Sequence, residues 1–360
     1  MRQGACVFWL LAAVASNVNA QTAYTRMSGA GREIETVRLA PNLIQFMVQR
    51  DSYVRELNST AIITDCGVIL FDSATRPSSA ALILAKLRAI TPKPVEIVIN
   101  SHAHPDHWSG TEVFAKALPS VTVIASEQTD RFMHLMAPVW PKRIVDQVAA
   151  KRQAVALEKA SGKLPDGGPL AADQLAQDER DLVDLQSLAD EQARLTRIYP
   201  TIVYRDRLKL TRCGTALDLT AMTGDQDGTT VAYLSRDRVL LTGDLVSYPM
   251  PYLNTRPSRQ LEALKTIDAM DFALLVPGHG PAMRDHRFLK LEIALIEAAI
   301  DGVRREIASG DGDLATVQSR VTLDKLRHDF SGGDADLDAR FTARVKDLVK
   351  FTFQEMTGTG

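Results

Sequence analysis

Seven histidines occur in the 360-residue chain, and three of them sit in one short stretch, Ser101-His102-Ala103-His104-Pro105-Asp106-His107. Imidazole nitrogens and a carboxylate at this density are the donor set of a divalent cation. On extended backbone, alternate side chains share a side, so His102 and His104 can grip one ion. Pro105 is expected to stop any helix and turn the chain, which lets Asp106 and His107 face a second ion close by. A short apolar strand is expected over residues 95–100, immediately before the cluster. That context argues for a built site rather than a chance group of surface histidines.

The pattern His-x-His-x-Asp-His resembles the signature of the metallo-β-lactamase superfamily. Two later stretches resemble further motifs of that family. Leu240-Leu241-Thr242-Gly243-Asp244 is similar to its strand ending in a bridging aspartate, and Val276-Pro277-Gly278-His279-Gly280 is similar to its late, glycine-flanked histidine. The resemblance therefore implies that Asp244 sits between two ions and that His279 completes the second site. Asp72, at the end of Ile69-Leu70-Phe71, matches an aspartate with a structural role in the family. The likeness runs over about 43–127 and 201–285, in the right order. One position departs. The family has a histidine before a Thr/Asp-rich turn and a strand, and here Asp225 in Met222-Thr223-Gly224-Asp225-Gln226-Asp227-Gly228 takes that place. A carboxylate is a harder ligand and adds negative charge. Either Asp225 binds the first ion with His102 and His104, or it binds nothing and the first site is weak.

The resemblance implies a hydrolase. A divalent ion lowers the pKa of bound water from about 16 to near 7. A metal-bound hydroxide, oriented by Asp106, then attacks an amide, lactone or ester, a β-lactam included, while the metal stabilises the oxyanion. The implied cofactor is Zn2+, two ions per chain, with iron and manganese also compatible. Alkyl sulfatase relatives carry carboxylate-rich second motifs, so a sulfate ester stays open as a substrate. Two alternatives of other classes stay open as well: a carboxylate-rich redox metal site, and a catalytically weak metal-binding protein of the same fold. The chain contains no GxSxG elbow, P-loop or GxGxxG fingerprint that would direct the chemistry elsewhere.

These residues must be carried by strands and by the loops at their ends. Strands are predicted over 43–48 and 60–71, the latter as a hairpin, and over 95–100 and 121–125, with helices over 79–90 and 108–118. From 128 to 197 the rhythm breaks into two helical segments, 143–161 and 171–197, around a Gly/Pro-rich break at 162–169. This reads as an inserted helical hairpin, either a lid over the site or a packed decoration. Strands return at 201–204, 207–211, 216–221, 230–234 and 238–242, then a helix near 258–268, a strand at 272–276 and helices over 287–308 and 336–355. With the family resemblance, the expected fold class is α/β, a four-layer αββα sandwich. Its main domain covers 21–285 with an insertion at about 128–200, and a helical C-terminal extension covers 286–360.

Arg2, an apolar run over residues 5–15 and Val18-Asn19-Ala20 read as a secretory signal over 1–20. The expected location is therefore periplasmic or secreted, with no stable membrane insertion after signal removal. Export permits a disulfide between Cys66 and Cys213, although so distant a pair can equally remain unbonded. A net charge of −2 gives no field for nucleic acid, which leaves a small molecule as the expected partner. His134, His286 and His328 stand alone and are expected to be solvated or hydrogen-bonded. Trp108, Tyr248 and Tyr252 flank the ligand motifs and could either wall a pocket or simply pack.

Overall fold

Apolar side chains alternate along the central strands with a period of two, and each strand feeds two separate cores. In Val68-Ile69-Leu70-Phe71, Val68 and Leu70 join one cluster while Ile69 and Phe71 join another. Leu240 and Leu275 likewise point away from Val239, Leu241, Leu274 and Val276. Strands buried on both faces must lie inside a layered structure. The computed structural model describes residues 34–48, 57–310 and 312–359, and the expected signal at 1–20 lies outside them.

The first sheet has seven strands in chain order: β1 (Ile34–Ala40), β2 (Leu43–Val48), β3 (Asn58–Ile63), β4 (Val68–Phe71), β5 (Val95–Ile99), β6 (Thr122–Ser126) and β7 (Ile202–Tyr204). The β1–β4 pairings are antiparallel, and those from β4 to β7 are parallel. The second sheet has the order β12-β11-β10-β9-β8, from β8 (Arg207–Arg212), β9 (Thr215–Thr223), β10 (Asp227–Leu234), β11 (Val239–Leu241) and β12 (Leu274–Val276). The parallel steps β4–β5 and β5–β6 are bridged by α1 (Pro77–Ile90) and by α2 (Pro105–Trp108) with α3 (Thr111–Ala117). Ile83 and Leu87 of α1 and Phe114 of α3 cover the outer face of the first sheet.

The inner faces of the two sheets meet through Ile69, Ile99 and Ile124 on one side and Leu219, Ala232 and Leu241 on the other. The outer face of the second sheet is covered by α7 (Pro257–Asp268), α8 (Arg287–Ser309), α9 (Leu314–Arg320), α10 (Asp324–Ser331) and α11 (Ala335–Thr357), through Leu264, Ile296, Val317, Phe330 and Val345. The result is the four-layer αββα sandwich, with a helical C-terminal region packed on it.

Several elements differ from the sequence reading. β1 was not anticipated, because Ile34-Glu35-Thr36-Val37-Arg38 is an edge strand with only one well-buried side chain. α9 and α10 fall within the extension expected to be helical but were not delimited there, being short, with residues 321–323 between them and Gly332 ending α10. Pro105 does not prevent a helix. It starts α2, since proline suits a first helical position where the N–H has no partner anyway. The helix expected over 108–118 is split at Gly110, where a Cβ would lie 1.8 Å from the Ser73 carbonyl oxygen.

The stretch read as inserted holds α4 (Glu127–Met136), α5 (Val139–Ser161) and α6 (Gln174–Arg194). The last two pair through Ile144, Val148, Leu185 and Leu188. α6 docks on the loop after β4: the fully buried Arg76 reaches the Asp184 carboxylate at 2.8 Å and Glu191 at 3.5 Å. Gln192 Nε2 also donates to the Thr75 carbonyl at 2.9 Å.

Candidate metal centre

The strand ends named in the sequence reading converge at one edge of the sandwich. β4 ends at Asp72, β5 runs into His102–His107, the β9–β10 turn carries Asp225, β11 leads to Asp244 and β12 to His279. Short-range bonds lock these loops together. Thr230 N donates to the Ser101 carbonyl at 2.7 Å, tying the ligand loop of the first sheet to β10 of the second. Ala103 N donates to Gln226 Oε1 at 3.1 Å, next to Asp225. Gly278 N donates to the Gly243 carbonyl at 2.9 Å, which brings the Asp244 and His279 loops side by side. Residue 278 has to be glycine, because a Cβ there would lie 2.0 Å from Asp244 Oδ1. Asn58 Nδ2 accommodates the turned backbone by donating to the Pro277 and Gly280 carbonyls at 2.9 and 2.6 Å.

Two groups of donors result. His102, His104, Asp225 and Asp244 form one, and Asp106, His107 and His279 form the other; within each group the ligand atoms lie within 4.8 Å of one another. His104 Nδ1 lies 2.8 Å from Asp225 Oδ2, and His102 Nε2 lies 3.6 Å from the same oxygen. Asp244 Oδ2 stands between the groups, 3.8 Å from His102 Nε2, 3.5 Å from His107 Nε2 and 3.3 Å from His279 Nε2. Asp106 Oδ2 is 3.5 Å from His107 Nε2 and 3.3 Å from His279 Nε2. All seven residues expected as ligands are thus brought together, Asp225 included.

Whether this set fits cations is answered by its buried polar atoms. His107 Nε2, Asp225 Oδ1 and Asp244 Oδ1 are buried and make no hydrogen bond among the described residues. Side chains at Asp225 and Asp244 are only 3% and 2% exposed. Buried carboxylates facing one another are strongly unfavourable unless cations compensate them. Tetrahedral and five-coordinate nitrogen and oxygen sites of catalytic zinc take such donors, so the residues present fit a pair of divalent ions.

The electrostatics agree. Burial pulls the His102 imidazole down to about 4, so it is neutral and ready to donate a lone pair. Burial also opposes protonation of His107, but Asp244, Asp106 and Asp72 outweigh it and hold that imidazole well above its usual range. His279 is raised in the same way, chiefly by Asp244 against burial. For Asp106 and Asp244, burial pushes upward, yet the His107 and His279 charges hold both carboxyls well below their usual range.

A second layer aims the ligands. Ser101 Oγ lies 3.0 Å from His102 Nδ1 and 3.2 Å from His107 Nδ1, and donates to Asp72 Oδ2 at 2.8 Å. The same Asp72 oxygen is 2.8 Å from His107 Nδ1. Engaging each Nδ1 directs each Nε2 at the centre. Asp72 therefore acts through His107. Ser101 was not singled out from the sequence, where only its place before His102 marked it. Glu292 of α8 was also missed. It is fully buried and accepts from Ser247 N at 3.3 Å, and burial together with the nearby Asp244 charge pushes its carboxyl well up. Nothing in its helical sequence context signalled this.

The flanking aromatics divide. Trp108 is buried, donates its Nε1–H to the Ala103 carbonyl at 3.1 Å, and packs on Met133 beneath the ligand loop, so it braces the site rather than walling it. Tyr248 packs on Phe288, with ring centroids 5.1 Å apart. Tyr252 does face the site, 5.3 Å from the His279 ring, with the Arg344 guanidinium of α11 over its own ring at 5.4 Å. His134 stacks on Tyr199 at 3.9 Å, and His286 Nδ1 bonds Asp268 at 2.6 Å. His328 is exposed on α10. None of these three histidines joins the metal-ligand groups.

At the far end of the sandwich, Cys66 and Cys213 are disulfide-bonded, with Cα atoms 5.8 Å apart across 147 residues. The bridge ties the β3–β4 turn of one sheet to the β8–β9 turn of the other.

A family model described as the metallo-beta-lactamase superfamily matches residues 53–279. Among curated proteins, a linear primary-alkylsulfatase from Pseudomonas sp. is 26% identical over 225 residues, which is 59% of this chain and 39% of that protein. The chain thus spans well under half the length of that relative. Among solved structures, the stereoselective inverting sec-alkylsulfatase Pisa1 from Pseudomonas sp. superposes with a TM-score of 0.60 at 15% identity, over 91% of this chain and 51% of that one. A beta-lactamase domain protein from Burkholderia ambifaria gives a TM-score of 0.57 at 16% identity, over 90% of each chain. These two likenesses concern the fold alone.

Proposed function

This chain belongs to the metallo-beta-lactamase superfamily, and from that premise we propose that it is an exported, dinuclear metal-dependent hydrolase of an organic sulfate ester. The observation that carries the hydrolase reading is the pair of interlocked donor groups with Asp244 between them. His102, His104 and Asp225 would hold one ion, Asp106, His107 and His279 the other, and Asp244 both. Bound there, divalent ions would supply Lewis acidity and water acidic enough to deprotonate near neutral pH. Asp106 is placed to accept a proton and to orient the attacking water, since its side chain is 21% exposed while those of His107 and Asp244 are buried. Tyr252 borders the centre beside His279 and can donate a hydrogen bond to a substrate oxygen.

The choice of a sulfate ester over an amide or lactone rests on two supports. One is the alkylsulfatase relative. The other is Asp225, which makes the first donor set richer in carboxylate than the histidine expected there. Cleavage of an amide, lactone or ester, β-lactams included, is the second reading, favoured by family membership alone. Export is supported by the Cys66–Cys213 bridge, which persists in oxidising compartments. No helix among the described residues is long and apolar enough to cross a membrane.

The test is metal analysis of the purified protein with a hydrolysis panel of alkyl sulfates, β-lactams, lactones and thioesters. The expected result is two divalent ions per chain and chelator-sensitive release of inorganic sulfate. Turnover of a β-lactam or lactone with inert alkyl sulfates would transfer the assignment to the second reading. Catalytic silence across the panel at full metal loading would remove both.

A further inference from the structure

Exposure around the centre is lopsided, and this decides where a substrate enters. The side chains of His102, His107, Asp225 and Asp244 are at most 3% exposed. His104 is 31% exposed and Asp106 21%. The open side therefore lies over His104 and Asp106, and whatever borders that side meets the substrate. One neighbour of the partly exposed His104 ring comes from the inserted hairpin. Trp140, in the first turn of α5, stands edge-on to the His104 ring with centroids 5.8 Å apart. Arg143, one turn on, places its guanidinium over the indole at 5.0 Å.

The indole carries a second mark of a binding residue. Its Nε1 is buried and makes no hydrogen bond among the described residues. Trp108, the other indole described, bonds its Nε1–H to a backbone carbonyl and serves packing alone. A buried indole N–H nearly always finds an acceptor, so one held unsatisfied beside a metal ligand points to an acceptor that arrives with the substrate. The sulfate group of an organic sulfate offers such oxygens, and the indole face offers an apolar surface for its carbon chain.

Resting on the sulfate-ester reading above, we propose that Trp140 is a substrate-contacting specificity residue, donating its indole N–H to a sulfate oxygen and packing its ring against the alkyl chain. The helical hairpin is then part of the binding site rather than a distant decoration. Its docking through Arg76 onto the loop after Asp72 holds that wall in register with the ligands.

The test uses metal-loaded wild-type protein and the variants Trp140→Phe and Trp140→Ala. Metal content is checked in each, since Trp140 is not a ligand and should leave it at the wild-type value. Calorimetric binding of hexyl and octyl sulfonate, which lack the cleavable ester oxygen, is measured beside steady-state hydrolysis of the matching sulfates. Loss of one hydrogen bond to an anionic oxygen predicts that Trp140→Phe weakens both sulfonates by roughly 10- to 100-fold. KM should rise correspondingly, with kcat nearly unchanged. Trp140→Ala should weaken octyl more than hexyl sulfonate and so flatten the chain-length preference. Wild-type affinities and KM values in both variants would overturn the proposal, as would equal loss of metal and binding together. The two readings separate cleanly: Trp140-dependent sulfonate binding without sulfate hydrolysis rejects the reaction but keeps the contact. Sulfate hydrolysis indifferent to Trp140 does the reverse.

Discussion

Replacing Asp72 by asparagine exchanges one carboxylate oxygen for an amide nitrogen and should cripple one metal position selectively. Asp72 Oδ1 accepts from Ser101 N at 2.7 Å, and Oδ2 accepts from Ser101 Oγ at 2.8 Å while lying 2.8 Å from His107 Nδ1. Asparagine can keep the first bond through its carbonyl oxygen. Its NH2 would then face His107 Nδ1, and two donors cannot pair. The imidazole must move its proton to Nε2, the atom that faces Asp244 and Asp106, and a protonated nitrogen cannot ligate. Residue 72 adopts φ of 61°, which asparagine tolerates better than most residues, so the backbone should hold. Loss of such an outer partner lowers metal affinity by about 10- to 100-fold, or about 1.4–2.7 kcal/mol. Titration of metal-free protein with Zn2+ against a competing chelator resolves the two positions. The second, built on His107, should weaken by that factor. The first should weaken less, because Ser101 Oγ still lies 3.0 Å from His102 Nδ1. Unchanged affinity at both positions, or equal loss at both, would refute the tautomer argument.

Three further outcomes are expected. Asp225→Ala should drop the metal content from about two ions to about one and abolish most turnover, because its carboxylate is a donor of the first set; retained stoichiometry by metal analysis would show that Asp225 binds nothing. Metal uptake should release protons and weaken as pH falls from about 8 to about 6, since His107 and His279 are held protonated well above the usual imidazole range and must lose those protons to bind, while His102, near 4, is already neutral. Unbuffered titration with a pH electrode detects the release, and its absence would contradict the charge arrangement. Reducing the Cys66–Cys213 bridge, or replacing both with serine, should lower stability by up to about 5 kcal/mol from the 147-residue loop it closes, visible as a lower Tm, with metal content unchanged because the bridge lies away from the centre.

The metal motif was legible in the sequence because its chemistry is local. His102, His104, Asp106 and His107 lie within one turn of backbone after a buried strand, so their identity and spacing already define a donor set. Strands β4, β5, β11 and β12 were legible for a similar reason, since a short run of consecutive apolar residues marks a strand buried on both faces. Edge strand β1 escaped, and the bounds of the short helices α9 and α10 inside the helical extension did too, because elements with few buried side chains carry little pattern.

Other features exist only once the chain has folded. Whether Asp225 joins the ligands depended on the Ala103–Gln226 and Ser101–Thr230 bonds between two sheets, which no local spacing encodes. The same holds for Cys66 and Cys213, separated by 147 residues yet adjacent at the turns of two packed sheets. Trp108 follows the ligand loop directly in the sequence, whereas Trp140 lies 33 residues beyond His107 with nothing local to mark it. Packing buried the first under the ligand loop and brought the second, through a docked helix, against the His104 ring. Sequence alone therefore determined the donor types and the layered fold, through interactions between near neighbours. Tertiary structure decided which distant residues share the centre and which face of it meets solvent, because those depend on how separately folded layers come to rest against one another.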